Sequence, residues 1–304
     1  RTHCIVRLCL SERMIFVDFF LLAIIALFVL ALIDLSVGVS NDAVNFLNSA
    51  IGSRVASRRT ILIVASMGVI VGAMFSSGIM EVARKGIFNP EMFTFADVMV
   101  VFLAVMIADV LLLDFFNTFA LPTSTTVSIV FELLGAATAV AILHVVHNPD
   151  APPFMEFING GRALAIIAGI GLSVVVAFFM GTIIQFFSRL VFTFSETRRT
   201  AGVRVIWSAL SLSAITYFLF IKGLKGASFI TPQTQELVKE NTFYLFMATF
   251  VVSLVVAGGI QRLGKNPLAF VVLAGTFALA MAFASNDLVN FIGVPLAGLE
   301  SWKA

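Results

Sequence analysis

The chain has 304 residues, 60% of them hydrophobic and 12% charged, with a formal net charge of +2. A soluble globular domain is about 45–50% apolar and about 25% charged, so this is the composition of a polytopic membrane protein. The balanced charge, with no basic cluster, excludes a nucleic-acid partner. Two cysteines, Cys4 and Cys9, are too few for a disulfide framework.

The N-terminal element comes first. Met14 stands directly before IFVDFFLLAIIALFVLALIDL and is read as the start, with Arg1–Arg13 an upstream or non-native extension. The apolar run exceeds the roughly 7–15 residues of a signal h-region and no A-x-A-like site follows, so no cleaved signal peptide is expected. Hydropathy then predicts about eight spans, each near the ~20 residues a bilayer needs. They are Ile15–Ser36 continuing into the next polar segment, Thr60–Met80, Asp97–Leu113, Thr126–Leu143, Ala163–Phe187, Val203–Ile221, Thr242–Ile260 and Leu268–Ala284. Short loops rich in Pro, Gly and charge punctuate them. His144 and His147 end one apolar run and are read as a membrane-edge loop; no histidine, His3 included, has zinc spacing.

Lys and Arg resist translocation, so the more basic loops face the cytoplasm. Alternate loops hold Arg54, Arg58 and Arg59; Arg189, Arg198, Arg199 and Arg204; and Arg262 and Lys265, while the opposite loops mix acids and bases. With Met14 as the start, the N-terminus is expected outside, in a multi-pass protein of a bacterial inner membrane.

Two polar motifs interrupt the apolar pattern. Ser40-Asn41-Asp42-x-Val44-Asn45-Phe46 recurs near the other end as Ser285-Asn286-Asp287-x-Val289-Asn290-Phe291, with six of seven positions matching. An ionised Asp at a helix centre costs about 2.5–3.5 kcal/mol even on insertion scales, so keeping two calls for a function. By the span count the two copies cross in opposite directions, as in inverted-topology repeats, which place a site at their interface. Asp and Asn oxygens suit a small hard cation, or a proton on the Asp, and the amides can also donate to an anion. The second island, DFFNTFALPTSTTVS, runs from Asp114 to Ser128. Pro122 ends one helix and favours the first turn of the next, which sets Thr123, Ser124, Thr125 and Thr126 at a helix N-terminus. Free N–H groups and hydroxyls there make an anion site without Arg or Lys.

These residues resemble the inorganic phosphate transporter (PiT) family of cation-coupled phosphate carriers. The family's duplicated Asn-Asp signature reads here as VSNDAVN and ASNDLVN, and its Pro-Thr-Ser-Thr-Thr element as LPTSTT. The resemblance implies an all-α polytopic membrane protein with inverted-topology repeats and no enzymatic activity. It implies that Thr123, Ser124, Thr125, Thr126, Asn45 and Asn290 bind phosphate. Asn41, Asp42, Asn286 and Asp287 would bind the cation, with Asp42 and Asp287 as ligands of sodium if sodium is the coupling ion. It implies no cofactor, a sodium ion or proton for coupling, lipid contact, and a homodimer. A carboxylate repels phosphate unless a cation sits between them, which is a physical origin for coupling.

The chain departs from the family pattern in three places. Ser40 and Ser285 stand where Gly is common, Val127 stands where His is common, and no second Pro-Thr-Ser-Thr-Thr follows Ser285 before Ala304. The second repeat is therefore read as incomplete, and weak or no transport is expected of these residues alone. The expected division is 1–13 extension, 14–187 first repeat, 188–204 basic cytoplasmic loop, and 205–304 connecting helices with the start of the second repeat. Glu132, an acid in an apolar helix, is a further proton or cation candidate. Three competing readings are a sulfate carrier, an intramembrane aspartyl protease using the two aspartates, and a structural subunit of a membrane complex.

Overall fold

The computed structural model describes residues 2–74, 86–192, 201–226 and 232–303. Among them are eleven α-helices: α1 Thr2–Ser53, α2 Arg58–Met74, α3 Phe95–Thr118, α4 Thr125–His147, α5 Phe154–Phe157, α6 Gly160–Phe192, α7 Ala201–Gly226, α8 Pro232–Glu240, α9 Thr242–Arg262, α10 Pro267–Asn286 and α11 Leu288–Lys303. The described residues hold no strand beyond an isolated antiparallel bridge between Phe88 and Ile158. The all-α membrane architecture expected from composition is the one observed.

Seven described helical stretches are long and apolar enough to cross a bilayer, the last running from Pro267 to Lys303 through α10 and α11. About eight were expected. The difference falls on Thr60–Met80: its described part lies in α2, 17 residues long, and residues 75–80 lie outside the described residues. His144 and His147 are helical, in the last turn of α4, and the loop starts at the C-cap Asn148.

Local chemistry sets the helix ends. Thr94 and Asp97 form a capping box at the start of α3: Asp97 N–H donates to Thr94 Oγ1, and Thr94 N–H donates to Asp97 Oδ2 at 2.9 Å. α3 closes in a Schellman turn, with the Ala120 N–H on the Asn117 carbonyl and the Leu121 N–H on the Phe116 carbonyl. Ala120 occupies the left-handed position of that turn at φ 54°, where glycine is usual. α9 ends in the same turn with Gly264 there, at φ 74°.

The chain forms two compact units, residues 1–42, 80–167 and 287–304, and residues 43–79 and 168–286. Each takes chain from both sides of residues 188–204. In the first unit α3 packs along α4, and α11 packs on both. Leu27, Met99, Phe102, Val105, Met106, Val130, Leu133 and Val294 form its core. Gly298 of α11 lets Leu27 of α1 approach: a Cβ there would sit 2.9 Å from Leu27 Cδ1. One end is closed by the 86–94 loop, where Asn89 Nδ2 donates to the Glu156 carbonyl at 2.7 Å and Phe93 packs edge-on against Phe157.

In the second unit α2 lies along α10, and α7 packs against both α9 and α10. Gly68 and Gly72, four residues apart, let the α2 backbone come against the carbonyls of Phe277 and Met281, beside Ala280 and Ala284. This is the small-residue packing that helices use where lipid supplies no hydrophobic drive. α6 buries only Ala163 among its residues and exposes Phe178, Phe186 and Leu190. Such a surface is costly in water and matched to hydrocarbon.

Candidate functional site

The site is built at the start of α4. The Schellman turn after α3 reverses the chain, Leu121 to Thr123 run without regular structure, and Ser124 caps α4 from an extended conformation. Ser124 Oγ accepts the Val127 N–H at 3.4 Å. The first-turn N–H groups of Thr125 and Thr126 have no acceptor within the helix, as at any α-helix start. Thr125 is buried.

Asn41 of α1 holds this loop. Its Nδ2 donates to Asn117 Oδ1 at 2.9 Å and to the Leu121 carbonyl at 3.0 Å. Its Oδ1 accepts the Thr123 N–H at 3.0 Å. Asn117 in turn donates to the Val37 carbonyl of α1 at 2.9 Å. A buried amide with both ends engaged fixes the loop to α1 rigidly, because each broken bond would leave an unsatisfied buried group. Asp42, next along α1, is buried at 4% exposure.

The second motif reaches the same helix start. Asp287 is the one residue between α10 and α11 and lies outside both helices. Thr126 Oγ1 donates to Asp287 Oδ1 at 3.0 Å, and Asn290 Nδ2 donates to Thr126 Oγ1 at 3.0 Å. Thr126 is therefore oriented by an acceptor on one side and a donor on the other.

The first unit thus brings together Asn41, Asp42, Asp287, Asn290 and Thr123 to Thr126. Asn45 and Asn286 belong to the second unit; Asn45 is exposed, and the Asn286 side chain lies outside the described residues. Among the described residues, no group of three or more His, Cys, Asp or Glu is disposed to hold a metal ion.

Sequence reasoning missed Asn117 as a clamp and Asp34 and Asp109 as buried acids. Asn117 belonged to the polar island, but only the turn geometry points it at Asn41. Asp34 and Asp109 had a legible signal, since each is an ionisable residue within an apolar span.

A model of the phosphate transporter family matches residues 38–304, the whole stretch from just before the first motif onward. A Helicobacter pylori protein and a Thermococcus kodakarensis protein, both named "Putative phosphate permease", are each 24% identical over 273 residues, 86% of this chain. The chain spans 48% of the first relative's length and 62% of the second's. A solved structure described as the sodium-dependent phosphate transporter shares the fold. It matches with a TM-score of 0.70 at 19% identity, covering 93% of this chain and 68% of that one. With the duplicated Asn-Asp motif, the Pro-Thr-Ser-Thr-Thr helix start and the family match in agreement, the chain belongs to the phosphate transporter family.

Proposed function

We propose that the protein is a secondary active carrier that imports inorganic phosphate together with sodium ions or protons by alternating access. The observation that carries this is the start of α4, where Thr123 is held by Asn41 of the first motif and Thr126 by Asp287 and Asn290 of the second. Hydroxyls and first-turn N–H groups there are donors for an oxyanion, and the positive end of the helix favours negative charge. The carboxylates of Asp42 and Asp287 oppose that anion until a cation or proton neutralises them. Anion and cation therefore complete each other's site, and neither crosses efficiently alone.

In this reading Thr123, Ser124, Thr125, Thr126 and Asn290 contact phosphate, with Asn45 joining them in part of the cycle. Asp42 and Asp287, supported by Asn41 and Asn286, bind the coupling ion. Opposed motif copies fit a carrier whose two bundles rock about a central site. The membrane orientation with the basic loops inside, and assembly as a homodimer, belong to the same proposal.

The test is uptake of labelled phosphate by proteoliposomes holding the full-length protein. Uptake should rise with an inward sodium or proton gradient and resist excess sulfate. Uptake that is independent of both gradients, or displaced equally by sulfate, would overturn the reading.

A further inference from the structure

A second polar cluster lies inside the first unit, beginning two residues past Thr126 on α4. Asp34 of α1 and Asp109 of α3 are fully buried, Ser128 of α4 is buried, and Glu132 of α4 is half-buried. Ser128 Oγ is 2.6 Å from Asp109 Oδ1 and 2.7 Å from Glu132 Oε1. A serine hydroxyl has one proton and can donate to only one of them. The other contact is a close approach of two lone-pair oxygens unless that carboxyl itself carries a proton and donates to Oγ.

Asp34 adds an independent observation. Neither of its oxygens has a hydrogen-bond partner, and it has no exposure to solvent. Asp109 and Glu132 are the charged neighbours that act on Asp34. Asp109 Oδ2 and Glu132 Oε2 are also buried without a donor. A carboxyl buried without a donor costs less neutral than charged. The groups that act most strongly on each acid are the other acids and Ser128. Besides His3, Arg7, Glu12, Arg13 and Asp18 of α1, whose side chains lie outside the described residues, the remaining acidic and basic groups on the surrounding elements α1, α3, α4, α5 and α11 are Asp42, Asp97, Asp114, Glu156 and Glu300, plus three basic ones at helix ends. Those three are His144 and His147 in the last turn of α4 and Lys303 in the last turn of α11.

We propose that Asp109 and Glu132, bridged by Ser128, form with the buried Asp34 a proton-binding site that stays protonated at neutral pH and through which the carrier takes up coupling protons. The bound proton sits on Asp109 or Glu132, and Ser128 accepts it from one while donating its own to the other. Protons fit better than a metal ion, because the oxygens meet at O–H···O distances and no metal-holding group of acids occurs among the described residues. Ser128 follows Thr126 closely on α4, and Asp34 precedes Asp42 by about two helical turns on α1. The two helices that carry the site at the start of α4 therefore also carry the proton cluster. The coupling role rests on the proposed phosphate carrier; the proton site itself does not.

Infrared spectroscopy of the purified full-length protein without phosphate tests the site. The carbonyl-stretch band of protonated carboxylic acids should be present at neutral pH and shift in heavy water. Asp109→Asn and Glu132→Gln, which supply a donor in place of the proton, should each remove part of it. The triple variant with Asp34→Asn should remove most of it. A wild-type protein without the band, a band kept in the triple variant, or a wild-type band abolished by saturating sodium at constant pH would overturn the proposal. Failed uptake would count against the carrier and leave the band unchanged. For coupling, Glu132→Gln should flatten the pH dependence of phosphate uptake, and an unchanged pH profile would refute it.

Discussion

The two Asn-Asp motifs share six of seven residues yet fold differently. The first lies inside an unbroken helix, α1, while the second straddles a break, with α10 ending at Asn286 and α11 beginning at Leu288. The Asn290 N–H closes a turn on the Asp287 carbonyl at 3.0 Å there. The shared residues cannot cause the difference, so it arises from what surrounds them. Where the first copy continues Asn48-Ser49-Ala50, the second continues Gly293-Val294-Pro295, and Pro295 removes one backbone donor from α11. The lesson is that the duplication repeats the chemistry and leaves the backbone to context. The helical copy uses Asn41 to hold the loop, and the broken copy uses Asp287 and Asn290 to hold a hydroxyl.

A second comparison supports the repeat. Matching the motifs places Phe46 with Phe291 and Gly38 with Phe283. In one unit Phe291 packs onto Gly38, and in the other Phe46 packs against Phe283, with centroids 5.5 Å apart. The same two positions meet twice, once as glycine with phenylalanine and once as two rings.

Five substitutions would break or sharpen these comparisons, taken from the largest expected effect down. Asn41→Ala removes three hydrogen bonds at about 1 kcal/mol each, so a loss of roughly 3 kcal/mol is expected, with phosphate binding lost as the loop loosens. Thermal unfolding in detergent would show it, and an unchanged midpoint would remove Asn41 as the clamp. Asp287→Asn keeps the shape but loses the charge-assisted bond from Thr126, about 2 kcal/mol, so uptake should fall at least ~10-fold. Side-by-side uptake assays of the two variants would show whether the two copies contribute alike.

Gly38→Ala would push a Cβ into the buried ring of Phe291, and a cost of about 1–3 kcal/mol is expected. If Gly38→Ala is tolerated, the contact between these paired positions is looser than described. The smallest effect concerns the matching helix ends. Ala120→Gly should stabilise by about 1 kcal/mol, and Gly264→Ala should destabilise by about the same amount, because both positions have positive φ. Paired melting curves would check the opposite signs.

Much of the fold was legible because a bilayer forces apolar residues into long helices, and the site was legible because polar residues in such helices are costly. A helix start near Thr123 to Thr126 was legible from Pro122, but Pro122 stands in neither helix: α3 already ends at Thr118, and α4 begins at Thr125 behind the Ser124 cap. The break at Asp287 was not legible, since the same motif stays helical at Asp42. Nor was the role of Asn117, which depends on a turn whose left-handed residue is Ala120, not a recognisable glycine. Asp34 and Asp109 stood in plain view as intramembrane acids, but only packing brings them to Ser128 and Glu132. The division into two units that interleave distant segments also lies beyond a linear reading.

The central claim is that Thr126, set between Asp287 and Asn290, belongs to a phosphate site at the start of α4. Equilibrium binding of labelled phosphate to the purified full-length protein tests it most directly, comparing wild type with Thr126→Ala. The account predicts saturable binding that a coupling cation strengthens, because a cation on Asp287 frees the Thr126 hydroxyl proton for phosphate, and at least ~10-fold weaker binding in the variant, the loss of a hydrogen bond to a charged ligand. Wild-type protein that binds no phosphate, or a variant that binds it equally well, would contradict the account.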